Sequence, residues 1–129
     1  ELYNANGPKM VFDTLGASSY VGTESTGTIN ITKDIMHNIK GKRVLIVEDI
    51  LDTGRTMVQI KDYLLKIKKV KEVKICSLVD KPDRRVKKIA PDYNGFSVPN
   101  EYILGFGFDY NQMFRNVPHV FVLKDEYYN

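Results

Sequence analysis

The sequence predicts an α/β domain, a mostly parallel sheet flanked by helices, and three observations carry that reading. Val44, Leu45, Ile46 and Val47 follow one another without a polar interruption, the pattern of a strand covered on both faces at the centre of a parallel sheet. Met57, Ile60, Leu64 and Ile67 then recur at helical spacing, which sets one face of a helix against that sheet. Residues 73–79 alternate as a second strand, so the order strand, helix, strand is one βαβ unit.

Taken in order, residues 9–15 suggest a first strand and residues 28–31 alternate in the same way, with Gly16, Ser18, Ser19, Gly22, Ser25 and Gly27 between them. This predicts a hairpin with a long tip. A loop of that length without apolar anchors is functional or disordered, and one that closes over a ligand is both. Asp34 marks the start of a short helix through residue 39, which Gly41 ends. The strand over 42–47 follows, then an acidic loop, the amphipathic helix and the strand over 73–79. Residues 93–98, 102–108 and 120–123 are also strand-like. No internal repeat, linker or low-complexity segment interrupts the chain, so residues 1–129 read as a single domain, of a size that buries roughly two thirds of the surface its unfolded chain exposes.

Composition narrows the class. An apolar fraction of 43% with 27% charged residues is that of an ordinary folded domain and excludes intrinsic disorder. No apolar run approaches the ~20 residues that cross a bilayer, and the opening residues lack a basic start and an apolar signal core, so the expected location is the cytoplasm and no membrane partner is expected. Cys76 is the single cysteine; it cannot form an internal disulfide and reads as a buried small hydrophobe. The net charge of +3, from 19 basic and 16 acidic residues, is too mild to predict nucleic-acid binding without a focused patch. The run Lys66, Lys68, Lys69, Lys71 and Lys74 offers one, but lysines at a helix end also favour the negative end of its dipole.

The chemistry concentrates in residues 44–56, Val-Leu-Ile-Val-Glu-Asp-Ile-Leu-Asp-Thr-Gly-Arg-Thr, between a strand and a helix, where open α/β sheets bind ligands. Asp52, Thr53, Gly54, Arg55 and Thr56 can wrap a phosphate with successive backbone N–H groups, because glycine permits close approach and the helix start offers unsatisfied donors. Thr53 and Thr56 add hydroxyls. Carboxylates repel phosphate, so Glu48 and Asp49 need another task, and accepting hydrogen bonds from a vicinal ribose diol suits them. The bland alternative is that Asp52 caps the helix while Glu48 and Asp49 are solvated.

The thirteen-residue string resembles the 5-phosphoribosyl-1-pyrophosphate motif of the type I phosphoribosyltransferases, and the surrounding segments resemble the hypoxanthine-guanine branch. That resemblance implies the type I fold, with a flexible hairpin loop and a small base-binding hood. Residues 18–27 resemble the branch's mobile loop, whose Ser-Tyr pair, here Ser19 and Tyr20, closes over pyrophosphate. Val79-Asp80-Lys81-Pro82 resembles the strand end whose lysine, Lys81, donates to the 6-oxygen of the purine. Residues 96–109 resemble the base-binding segment, in which Tyr102 stacks on the purine, the backbone of Ile103 reads its edge, and Asp109 helps to hold magnesium and lies near position 2 of the base. Without the resemblance Tyr102 reads as core or sheet surface. Arg115 resembles the arginine that meets pyrophosphate, a task suited to a guanidinium fork.

The implied reaction is transfer of ribose 5-phosphate to a purine ring nitrogen with loss of pyrophosphate, giving IMP or GMP. Asp52 accepts the proton from that nitrogen. Mg2+ is the implied cofactor, bound mainly by substrate oxygens with help from Glu48, Asp49 or Asp109. The partners implied are 5-phosphoribosyl-1-pyrophosphate, 6-oxopurine bases, the nucleotide product and further copies of the chain in a dimer or tetramer. His37 and His119 match no role and read as structural or surface residues. Two departures stand out. Arg55 replaces the lysine common in this loop, a mild change because its phosphate contacts are mainly backbone, and the branch's Leu-Lys-Gly-Gly pyrophosphate loop has no counterpart here. With no initiating methionine, this predicts a chain incomplete on its N-terminal side. Three other readings compete: a regulatory relative that senses the activated sugar and binds nucleic acid through the lysine run, a transferase for xanthine, adenine or a pyrimidine, and a binding module whose acids hold a metal.

Overall fold

The computed structural model describes residues 7–19 and 29–127. Strand β1 (Gly16–Ser19) pairs antiparallel with β2 (Ile29–Lys33), which is the expected hairpin. Its first strand lies later than expected. Residues 9–15 form no strand, and Met10, Val11 and Phe12 are exposed. Alternation assigns side chains to faces, but a strand also needs a neighbouring edge to bond, and among the described residues none pairs with this segment.

The short helix expected over 34–39 is absent. The Asp13 carboxylate accepts hydrogen bonds from the Met36 and His37 N–H groups, so these donors are satisfied from outside the segment instead of by helical carbonyls. Asp34, the expected cap, accepts from Ile35 N, Tyr63 Oη and Lys68 Nζ. Gly41, at φ 71°, turns the chain so that its N–H reaches Lys69 O, while Lys71 N reaches Lys42 O. These bonds set the entrances of the next two strands side by side.

Strand β3 (Arg43–Leu51) runs parallel to β4 (Glu72–Asp80), and β4 runs parallel to β5 (Tyr93–Ser97), in the order β3-β4-β5. The parallel sheet confirms the βαβ reading, with two corrections. Among the described residues strand β3 pairs with β4 alone: Val44 and Ile46 are half-buried on one face, whereas Leu45 and Val47 are exposed on the other. β4 is the better-buried strand, with Val73, Ile75, Ser77 and Val79 all inside. Cys76, on the opposite face, is half-buried, not buried. The second correction is that β3 continues through Glu48 and Asp49 to Leu51, so those acids belong to the strand and not to a loop. The ladder uses backbone groups alone, and Glu48 pairs with Ser77 in register.

Helix α1 (Arg55–Asp62) passes directly into a π-helical turn, Tyr63–Ile67. Met57 and Leu64 are buried and Ile60 half-buried, as the spacing predicts, but Ile67 is exposed. The wider turn, closed by Lys68 N onto Tyr63 O, rotates Ile67 off the sheet-facing stripe. Leu64 packs with Val70, Val73, Ile35 and Ile39, and burying such a side chain is worth about 1.5–3 kcal/mol. A second cluster joins Leu51, Met57 and Ile75 beneath the start of α1, with Ile89 against it.

Beyond the sheet, β6 (Tyr102–Leu104) pairs antiparallel with β7 (Phe121–Leu123). The strand expected over 102–108 is cut short because Gly105, Phe106 and Gly107 all have positive φ and fold residues 105–108 into a tight turn. Ile103 and Phe108 join Val79 in a third cluster, which anchors this smaller unit on the end of β4.

Candidate functional site

A cavity of about 200 Å³ opens where β3 ends and α1 begins, lined by Glu48, Asp52, Thr53, Gly54, Arg55 and Thr56 among others. Gly54 stands at the N-cap with φ 77°, a left-handed conformation that glycine adopts without steric cost, and no side chain caps the helix. The Thr53 hydroxyl accepts from Arg55 N at 3.4 Å. This geometry suits an anion: an abrupt turn brings the start of a helix to an open cavity.

The bland reading of the acids holds for Asp49 but not for Asp52 or Glu48. Asp52 does not cap α1; its Oδ1 accepts from Arg84 Nε at 2.8 Å. Glu48 is half-buried, and its carboxyl is pushed up to about 7, first by that burial and then by the adjacent Asp49 charge and a hydrogen bond between the two. Asp49 is exposed, its Oδ1 accepting from Ile50 N at 2.7 Å.

The residues after β4 bind this cavity to the smaller unit. Lys81 is buried, its Nζ donates to Glu101 O, and burial lowers its affinity for a proton, partly offset by the charge of Asp52. Its backbone N–H reaches Leu51 O. Tyr102 follows Glu101 at the start of β6, partly exposed, with its hydroxyl directed to Asp109 O at 3.4 Å and its ring edge-on to Tyr110. Ile103 is buried, opposite Val122 in the β6–β7 pair. Asp109 and Arg115 come together, Nη2 to Oδ1 at 2.8 Å, while Arg115 Nη1 donates to Gly107 O and Asp109 Oδ2 accepts from Gln112 N.

The expected residues therefore fall into two groups. Glu48, Asp49, Asp52, Thr53, Gly54, Arg55 and Thr56 share the β3–α1 junction, with Lys81 hydrogen-bonded into its rear; Tyr102, Ile103, Asp109 and Arg115 belong to the smaller unit. Asp109 does not join Glu48 and Asp49 in one cage, since among the described residues no three acidic, histidine or cysteine side chains converge as a metal cluster. Ser19 ends β1; Tyr20 and the remainder of the expected closing loop lie outside the described residues.

Sequence reasoning missed Arg84, Asn100 and the buried pair of Arg85 with Asp80. The signal available was two arginines directly after Lys81-Pro82-Asp83. His37, read as structural or surface, is exposed and bonds Asp13 through Nδ1 at 2.8 Å.

A family model of the phosphoribosyl transferase domain matches residues 8–111. This chain is similar to the hypoxanthine-guanine phosphoribosyltransferase of Streptococcus thermophilus, 49% identical over 118 residues that make up 91% of this chain and 65% of that relative. The enzyme of the same description from Streptococcus pneumoniae strain R6 is 47% identical over the same shares. Among solved structures, a hypoxanthine phosphoribosyltransferase from Staphylococcus aureus matches with a TM-score of 0.81 at 45% identity, over 91% of this chain and 64% of that one. A hypoxanthine-guanine phosphoribosyltransferase from Bacillus anthracis matches at 0.78 and 42%, over 87% and 66%. The chain spans 65% of the length of the first two relatives.

Proposed function

This chain belongs to the phosphoribosyl transferase family and has the type I fold, and from that premise we propose that it takes part in purine salvage, transferring 5-phosphoribosyl from 5-phosphoribosyl-1-pyrophosphate to hypoxanthine or guanine. One observation carries the reading: the uncapped, glycine-led start of α1 opens into a cavity shared with Asp52, and the Lys81 backbone is bonded to Leu51 in that cavity's lining, which supports an anion site beside a lysine that would read the base.

In this reading the phosphate of the sugar lies on the N–H groups that begin α1, with the Thr53 and Thr56 hydroxyls beside them. Glu48 and Asp49 take the ribose hydroxyls. Lys81 donates to the 6-oxygen of the base, Tyr102 stacks on the ring, and Ile103 meets its edge through the backbone. Asp52 accepts the ring N–H proton as the new bond to the ribose forms and pyrophosphate leaves. Arg115 and the Ser19–Tyr20 loop hold the departing pyrophosphate. Magnesium fits the donor set: the carboxyls of Glu48 and Asp49, adjacent in sequence and hydrogen-bonded to each other, offer hard oxygen ligands. When bound, it would offset charge on the pyrophosphate, with Glu48 and Asp49 as its protein contacts; Asp109, paired with Arg115 in the smaller unit, would reach it only through the substrate.

The regulatory reading is weakened at its basic face, where Lys66, Lys68 and Lys74 of the five-lysine run pair with Asp62, Asp34 and Asp92. We place the work in the cytoplasm, in a dimer or tetramer; no described helix is long and apolar enough to cross a membrane. The test is a spectrophotometric assay with magnesium, 5-phosphoribosyl-1-pyrophosphate and each of hypoxanthine, guanine, xanthine and adenine. Turnover of 6-oxopurines but not adenine is expected. Tight binding of the activated sugar without turnover of any base would sink the transferase and favour a sensor.

A further inference from the structure

Arg84 lies in the 3₁₀ turn Pro82–Arg84, which is stitched to the phosphate-side loop. Lys81 N donates to Leu51 O at 3.0 Å, and Val86 N and Lys87 N both donate to Thr53 O, at 3.1 and 3.3 Å. From this fixed backbone the guanidinium reaches in two directions. Nε donates to Asp52 Oδ1 at 2.8 Å, and Nη1 donates to Asn100 Oδ1 at 3.3 Å. Asn100 immediately precedes Glu101, whose carbonyl accepts from Lys81 Nζ. One side chain thus spans the end of β3 and the segment leading into β6.

We propose that Arg84 is a positioning residue: it fixes the rotamer of Asp52 and ties that carboxylate to the base-binding segment through Asn100. The inference rests on the transferase reading above. An aspartate at a strand end has two free torsions, and a charge-assisted hydrogen bond from a planar fork removes that freedom. With Oδ1 engaged by Arg84, proton acceptance falls to Oδ2. Because the same guanidinium holds Asn100, a shift of the base-binding segment moves the proton acceptor with it, so the sugar and base sites align together. Arg84 is 44% exposed, so its pairing adds little to stability; orientation is where it acts, since a misplacement of ~1 Å can cost about a hundredfold in rate.

The experiment is steady-state kinetics on Arg84→Gln, alone and combined with Asp52→Asn, with melting curves confirming that each variant folds. Arg84→Gln is expected to lower kcat by about ten- to a hundredfold, with affinity for ribose 5-phosphate changed less than about twofold, the limit of ordinary non-additivity at this scale. Arg84→Lys should recover little, because an ammonium cannot bridge two acceptors in a fixed fork. In the Asp52→Asn background Arg84→Gln should cost nothing further. An unchanged kcat, or the same loss in both backgrounds, overturns the proposal. Should the wild-type chain turn over no base, the transferase reading fails; the clamp is still read from the Arg84 Nε–H resonance by NMR, which Asp52→Asn should shift and which an unaltered signal would refute.

Discussion

Replacing Gly54 by alanine tests the anion site at its narrowest point. At φ 77° an L-residue pays about 1–2 kcal/mol for the left-handed conformation. Space is the second cost. A Cβ there would lie 2.6 Å from Ile89 Cγ2 and 3.0 Å from Arg85 Cδ, against the ~3.5–4.0 Å of a relaxed carbon contact. Ile89 is half-buried against the Leu51, Met57 and Ile75 cluster, so a shift there disturbs core packing, and such overpacking costs about 1–3 kcal/mol. The sum is about 2–5 kcal/mol. Gly41→Ala supplies the control, since Gly41 has nearly the same φ, 71°, with nothing within 4 Å of its would-be Cβ. It should lose only the conformational part. Urea melts of both variants separate the two costs, and calorimetric titration with ribose 5-phosphate reports whether the helix start still presents its donors. Equal destabilisation by the two substitutions would refute the packing argument; full sugar-phosphate affinity in Gly54→Ala would refute the role of this turn in binding.

Three further outcomes follow from the same site. Asp52→Asn should lower kcat by about 10²–10⁴, the usual range for a general base, with modest change in nucleotide binding; equal turnover in variant and wild type removes that role. Glu48 has its carboxyl raised to about 7, so its contribution to stability is fully present below its unfolded value near 4.5 and is lost as pH rises through 7. Glu48→Gln should therefore raise the melting temperature more at pH 8 than at pH 5, and a gain independent of pH contradicts the assignment. Arg85→Met breaks a buried pair with Asp80 and removes a donor to Leu51 O, for an expected loss of about 3–5 kcal/mol in denaturant melts, where a loss under 1 kcal/mol would show the pair to be dispensable.

What the sequence made legible follows the range of the interaction involved. The β3–α1–β4 unit was readable because its apolar spacing is local and each element is long. Failures came where a distant partner decided. Asp13 takes the N–H groups of residues 36 and 37, 23 and 24 positions away, so a segment with good helix punctuation stays irregular. Residues 9–15 alternate well but find no edge among the described residues, whereas β1 forms on a glycine and serines that periodicity rates as loop, because β2 is there to pair with it. Two successive carboxylates suggested that β3 had ended; the β4 ladder beneath them carried it three pairs further, through Glu48, Ile50 and Leu51.

The site divides along the same line. Gly54 and the residues around it could be proposed from sequence because backbone geometry within five residues would make a phosphate cradle, and a short string can encode it whole. Lys81, Tyr102 and Asp109 were singled out only by resemblance, as nothing local distinguishes a lysine that could read a base from a surface one. Arg84 escaped both routes: its contact with Asp52 spans 32 positions and exists only once the turn after β4 is bonded to Leu51 and Thr53. A motif read from sequence thus names the groups that touch ligand, while those that hold them in place emerge from the fold. The exposed pairing of Arg84 with Asp52 would be discounted in any stability argument, yet it lies between the two groups of site residues, and in the transferase reading a misplacement of ~1 Å in that carboxylate would cost the proton its acceptor.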